Sequence, residues 1–232
     1  MAAVAAGTGW ANCRVIDFAF SQCQRAAEVT CAVASPDGKR ATFTARGITD
    51  GACRMHFWTV DKYSYLHSVD GVSGLRGEWI RSLPCRAEDR SAYVSTVDLW
   101  AFPVNIDNQH FALALLDVPG RALHYLDSFV NHGCSESPAR LRCIFSWYER
   151  FLRLHGGKGT GNGPVLNTKD WRVIEYGACV PQQPLGSGDC GFFVVEFARC
   201  LLYRKPWDTV SHAGMRAARA QLAREIRGAP LS

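Results

Sequence analysis

No run in the chain approaches the ~18 consecutive apolar residues that a membrane-spanning helix needs, so no membrane partner is expected. The opening stretch, Met1 to Trp10, has no basic residue, and Gly7, Thr8 and Gly9 interrupt its apolar character; a secretory leader is not expected. The 10 cysteines include no C-x-x-C pair and no close pair with a matching pair of histidines, so neither a metal nor any other cofactor is expected. Without a leader they read as reduced intracellular thiols in the nucleus or cytoplasm, most of them packed as small hydrophobic side chains. Dense basic patches and basic–aromatic alternation are also missing. The net charge of +5 therefore fits a solvated surface or an acidic protein partner, and no nucleic acid. No internal repeat is present. What remains is a globular composition, 47% hydrophobic and 20% charged, in 232 residues: one large domain or two small ones.

The first half is hard to read. Residues 29–46 hold two β-prone runs around Pro36-Asp37-Gly38, a turn sequence, and predict a hairpin. Residues 58–95 show no clean period. From Val97 the pattern sharpens: Leu99–Ile106 reads as a strand, Asp107–Gln109 as a polar break, and Phe111–Leu116 as a buried strand. Val118–Arg121 reads as a tight turn, with proline second and glycine third, and Ala122–Leu126 as the returning strand. Ser137 and Pro138 then suit the N-cap and first position of a helix running to about His155, whose apolar face is Leu141, Ile144, Phe145, Tyr148, Phe151 and Leu152. The glycine-rich Gly156–Gly163 lacks the serine or threonine after Lys158 that a phosphate cradle requires and reads as a flexible loop. Trp171–Val180 predicts a strand, Gly191–Tyr203 a buried helix stopped by Pro206, and His212–Ile226 an amphipathic terminal helix.

One constellation carries chemistry. Cys190, in Gly188-Asp189-Cys190-Gly191, stands where a loop meets the buried helix, and the unpaired N–H groups and dipole there favour an anion, the attacking form of a thiol. Cys200, well inside the same helix, reads as an inert core thiol. A thiolate nucleophile wants a base, and the base an orienting carboxylate. His110 and Asp127 lie on the two arms of the predicted hairpin, so both can reach the same open end of the sheet. Gln182 and Gln183, on the loop before Cys190, could supply an oxyanion donor alongside the Cys190 N–H.

Three ordered blocks, Pro103–Asp117 with His110, His124–Phe129 with Asp127, and Val180–Val194 with Gln182-Gln183 and Asp189-Cys190-Gly191, resemble the Ulp/SENP cysteine proteases, the adenain-like peptidases specific for ubiquitin-like proteins. The resemblance covers roughly residues 97–228. It implies an α+β, papain-like fold, a mixed sheet flanked by helices with a buried helix starting at the nucleophile. It implies His110 as general base, Asp127 as its orienter, Cys190 as nucleophile and Gln183 as oxyanion donor. It implies an activity: maturing SUMO or a related modifier at its Gly-Gly terminus, or releasing it from lysines, as a monomer with SUMO and its conjugates as partners. Deubiquitinase, deneddylase or polyprotease activity, or an inactive modifier-binding remnant of a mobile element, are the alternatives.

Three departures from the family pattern bear on the substrate side. Phe111 stands where the family has tryptophan after the histidine and offers a smaller face to the Gly-Gly tail. Gln183 precedes Cys190 by one residue more than the family spacing. The family's Trp-Leu-x-Asp block is matched only loosely, by Trp58 to Asp61, with Trp79 a weaker candidate. Residues 1–96 are therefore expected to be a diverged, partly irregular, substrate-facing part, as in transposon-associated or plant relatives, and 97–228 the catalytic core. Phe111, Trp58, Gly188 and Asp189 are the expected substrate contacts.

Overall fold

The fold is seen in a computed structural model that describes residues 12–30, 43–44, 47–48, 53–63, 83–130, 138–155 and 167–228. Its centre is a five-stranded mixed sheet: β3 (Met55–Phe57), β4 (Leu99–Ile106), β5 (His110–Asp117), β6 (Ala122–Leu126) and β7 (Arg172–Glu175), side by side in that order. β4, β5 and β6 form an antiparallel meander, and the edge strands β3 and β7 each run parallel to their neighbour. A separate pair, β1 (Phe43–Thr44) and β2 (Gly47–Ile48), is antiparallel.

The alternation of β5 divides the core. Phe111, Leu113 and Leu115 face one way, into a cluster with α1 (Cys13–Thr30) and α5 (Cys190–Leu202). Ala112, Ala114 and Leu116 face the other way, where α2 (Arg90–Thr96) and the amphipathic α4 (Cys143–His155) close the layer. With apolar side chains on both faces, the strand has to read as a nearly continuous hydrophobic run. The layering is helix–sheet–helix, an α+β architecture with a buried helix that begins at Cys190.

The meander follows the sequence pattern closely, and the differences lie in the first half and at element ends. Val29 and Thr30 close helix α1 instead of opening a hairpin, and the described pairing in this region is that of Phe43–Thr44 with Gly47–Ile48; Pro36-Asp37-Gly38 falls outside the described residues. The signal for α1 was present: Val15, Ile16, Ala19, Phe20, Cys23 and Ala27 fall on one face and are all buried. The helix expected over 138–155 is interrupted at Arg142, giving a one-turn α3 (Pro138–Leu141) ahead of α4. The strand expected over 171–180 ends at Glu175 and continues as a 3-10 turn, because Gly177 takes a φ of +52 that no extended strand permits. The terminal helix is α6 (Met215–Gly228), with a 3-10 turn ahead of it. The glycine-rich loop and Trp79 lie outside the described residues.

Candidate active site

His110 is placed by a three-residue connection. Asp107 and Asn108 both take left-handed backbone, with φ of 51 and 57, and Gln109 N–H donates to the Ile106 carbonyl at 2.9 Å. This is the type I′ geometry that matches strand twist, and Asp and Asn tolerate it. Asn105 braces it, accepting from the Asn108 N–H at 3.1 Å and donating to the Asn108 side chain at 2.8 Å. His110 is thus the first residue of β5, opposite Ile106.

Asp127 follows the last residue of β6. The β5–β6 register ends at Leu113 opposite Leu126, so one further step sets Asp127 opposite Ala112, diagonal to His110. His110 Nε2 lies 2.7 Å from Asp127 Oδ1. The carboxylate is held from two more directions: the Phe129 N–H donates to Oδ1 at 2.8 Å and the Tyr125 hydroxyl to Oδ2 at 3.3 Å. His110 is 2% exposed and Asp127 1%. The ring of Phe129 tilts against the imidazole with centroids 5.8 Å apart. Nothing in the sequence pattern marks Phe129 for this place.

The third group arrives from the opposite layer. Cys190 opens α5 and is buried in the cluster beneath β5. Cys190 acts with Asp127 on the imidazole, and with Nε2 taken by Asp127 the ring nitrogen left for the sulfur is Nδ1. Burial by itself pulls His110 toward the neutral form. Its hydrogen bonds and charge interactions with Asp127 and Cys190 outweigh that and raise its pKa from 6.5 to about 9. Both neighbours, the carboxylate and the thiol, thus favour the protonated ring.

The two glutamines of the preceding loop have different lives. Gln182 is a clamp: its amide donates to the carbonyls of Asp127, Val180 and Gly177 at 2.9, 3.0 and 3.3 Å, and its oxygen accepts from the Val130 N–H at 3.2 Å. Gln183 is tied by its backbone, whose N–H donates to the Ser128 carbonyl at 2.8 Å. Its side chain is buried, with an Oε1 that has no hydrogen-bond partner among the described residues. Beyond it the loop turns through Gly186 and Gly188, with φ of +75 and +65, conformations that favour glycine. Leu185 is exposed at the tip of that turn.

The expected substrate contacts do not all gather here. Phe111 packs in the same buried cluster as Cys190, and Gly188 shapes the backbone just before it. Trp58 does not join them. It lies on the other face of the sheet, stacked on Trp100 with centroids 5.9 Å apart and edge-on to Trp147. Its indole belongs to the core because β3, followed directly by Trp58, pairs with β4 and aims it at α4. Asp189 is also corrected. Its carboxylate is 3% exposed and engaged by Arg219 and His212, which the sequence reading did not connect to the site. Among the described residues no group of His, Cys, Asp and Glu is arranged to hold a metal ion, and no helix is long and apolar enough to cross a membrane.

Comparison with known proteins follows this geometry. The model of the Ulp1 protease family, C-terminal catalytic domain, matches residues 77–231. Similar solved structures include a SUMO protease Ulp1 with its catalytic cysteine oxidised to a sulfenic acid, 18% identical over 94% of this chain and 77% of that one, with a TM-score of 0.62. They also include the C-terminal Ulp1 protease domain in complex with Smt3, the yeast orthologue of SUMO, 18% identical over 94% of this chain and 76% of that one, with a TM-score of 0.55. The Ulp1-like SUMO protease catalytic domain of Chaetomium thermophilum is 19% identical over 93% of this chain and 71% of that one, with a TM-score of 0.60. At these identities the likeness establishes the fold, that of the Ulp1 catalytic domain. No curated protein sequence matches the chain.

Proposed function

The chain belongs to the Ulp1 protease family of cysteine peptidases, and from that premise we propose that it hydrolyses the bond after the C-terminal glycine of SUMO, both in precursors and in lysine conjugates. The observation that carries the reading is the Asp127–His110 contact at 2.7 Å, with Cys190 acting on the same ring. The modifier is named on the strength of the structural likeness to Ulp1, one of whose structures is a complex with Smt3.

The chemistry assigned to these residues runs as follows. His110 takes the Cys190 proton, leaving a thiolate beside an imidazolium. The thiolate attacks the glycine carbonyl carbon, and the carbon–oxygen π pair moves onto oxygen. The Cys190 N–H, one of the first N–H groups of α5 with no intrahelical acceptor, and the Gln183 amide donate to that oxyanion. On collapse, His110 gives its proton to the departing amine and the C–N bond breaks, leaving a thioester. Water then attacks the thioester; His110 takes a proton from the water, and the sulfur leaves. Asp127 keeps the ring oriented throughout. Phe111 and Gly188 border the approach to the sulfur.

We place this chemistry in residues 97–228 and give the preceding part a substrate-facing role. The supporting contact is that of Cys13, at the start of α1, whose sulfur lies 3.5 Å from Asn105 Nδ2 beside the turn that presents His110. A reducing compartment, nucleus or cytoplasm, suits the eight described cysteines, which are free thiols.

Probes made of SUMO, ubiquitin or a NEDD-type modifier ending in a vinyl sulfone test the reading. The SUMO probe is expected to label Cys190 and the Cys190→Ala variant to remain unlabelled. Labelling by the ubiquitin probe alone would replace the substrate, and binding of SUMO without labelling would make the protein a modifier-binding domain.

A further inference from the structure

Asp189 immediately precedes Cys190 and is the N-cap residue of α5, with φ −89 and ψ −4. An aspartate at that position ordinarily turns its carboxylate onto the N–H of the second or third helical residue. Here the side chain makes no cap bond. The Phe192 and Phe193 N–H groups go to the Asp189 backbone carbonyl instead, at 2.8 and 3.0 Å. The carboxylate is drawn to the C-terminal segment. Arg219 of α6 donates to Oδ1 through Nε at 3.1 Å and also through Nη2, and His212 Nδ1 meets Oδ2 at 2.8 Å. Arg219 is itself buried, 6% exposed, with its guanidinium 4.2 Å from the Phe192 ring centroid. His212 is half exposed, so the tie has one buried and one outer strand.

A carboxylate swung onto the first turn of α5 would act against the reaction in two ways. It would offset the preference of the helix N-terminus for an anion at Cys190, and it would set a second negative charge beside the forming oxyanion. Among the described residues the titratable groups at this end of α5 are His110 and Asp127 from the sheet, Asp189 from the cap, and Arg219 with His212 beyond it. Only Asp189 is adjacent in sequence and acidic.

We propose that Arg219, with His212 as a second hold, is a positioning residue for the hydrolysis: it turns the Asp189 carboxylate off the nucleophile helix and neutralises it, so that the first N–H groups of α5 serve the sulfur and the oxyanion. This rests on Cys190 being the nucleophile. It also makes the C-terminal helix part of the active-site apparatus although it supplies no group that touches substrate.

The test uses the full chain with Arg219→Met, Arg219→Lys, His212→Ala and the double variant Asp189→Asn/Arg219→Met. Three quantities are read: the rate of Cys190 alkylation by iodoacetamide without substrate, kcat and KM on a SUMO–coumarin amide, and the melting temperature. Arg219→Met is expected to lower alkylation and kcat about tenfold with KM within about twofold, and Arg219→Lys to lose less. The double variant, with no carboxylate to misplace, is expected to recover alkylation to within about threefold of the parent. Should Arg219→Met fail to fold, His212→Ala decides, with an expected slowing of about two- to threefold at unchanged KM. Parent-like alkylation in a folded Arg219→Met, or in His212→Ala where that variant decides, overturns the proposal, as does a double variant as slow as Arg219→Met alone. An unlabelled Cys190 in the parent chain would instead overturn the nucleophile assignment on which the proposal stands.

Discussion

The imidazole of His110, at the start of β5, and the carboxylate of Asp127, just past the end of β6, meet at 2.7 Å, and each is almost wholly buried. Asp127 also accepts from the Phe129 N–H and the Tyr125 hydroxyl, which fix it as an acceptor. An orienting carboxylate of this kind selects the tautomer and holds the charge of an imidazolium.

Asp127→Asn keeps the shape of the site and presents an amide where the ring needs an anion. The expected result is a fall in kcat of roughly 10³- to 10⁴-fold, the scale of the same change in serine protease triads, with KM little altered. Steady-state hydrolysis of a SUMO–coumarin amide measures it. Loss of less than about tenfold would remove Asp127 from the mechanism.

The elevated His110 pKa has two consequences of the same sign. The imidazolium is needed for the ion pair and for protonating the leaving amine, so activity is expected to decline as pH rises through about 9, a limb that belongs to the coupled pair. For stability, the folded pKa of about 9 exceeds the ordinary 6.5, so the folded state binds the proton more tightly. The contribution is complete below 6.5 and is lost as pH rises from 6.5 through 9. Melting temperatures of the parent and His110→Gln over that range should converge toward the alkaline end.

A buried histidine elsewhere acts in the opposite direction. His56, enclosed by Trp58, Trp100 and Tyr93, is pushed by burial from 6.5 down to about 3. The unfolded chain takes up the proton first, so this residue removes stability as pH falls from 6.5 toward 3. Acid unfolding of His56→Gln, followed by circular dichroism, is expected to have a midpoint at lower pH than that of the parent once compared at equal neutral-pH stability.

The two adjacent glutamines should separate cleanly. Gln183→Ala is expected to lower kcat by about 10²- to 10³-fold while the melting temperature stays near the parent value, as for loss of one oxyanion donor. Gln182→Ala removes the clamp that ties the Asp127, Gly177, Val180 and Val130 backbones together, and is expected to destabilise by roughly 1–3 kcal/mol in urea unfolding. If the two phenotypes were exchanged, the oxyanion role would pass to Gln182.

Trp58→Ala gives a parallel test on the far side of the sheet. An indole packed against Trp100, Phe102 and Trp147 should cost about 3–5 kcal/mol when truncated, and KM for the modifier should not move. A KM effect without destabilisation would return Trp58 to the substrate channel.

The second half of the chain declared its own structure because each segment there answers to one environment. Leu99–Ile106 and Phe111–Leu116 are apolar on both faces, Pro119-Gly120 marks the turn between β5 and β6, and Phe192–Leu202 has no turn residue within it. Local pattern and tertiary role agree, and the chain order of His110, Asp127 and Cys190 could be read directly, as could the resemblance built on it. The positions of Trp58 and Asp189 could not. A tryptophan three residues before an aspartate looks the same whether its strand faces the cleft or the opposite layer; the pairing of Met55 with Leu99 decides which. An aspartate before a helix looks like a cap, and only the approach of Arg219, 30 residues later, takes its carboxylate elsewhere. Sequence determines which groups are available and in what order, because side-chain chemistry and short-range periodicity are local. Which face each group meets, and which charge it finds there, depends on strand register and on helices distant in the chain, and these exist only once the layers have closed on one another.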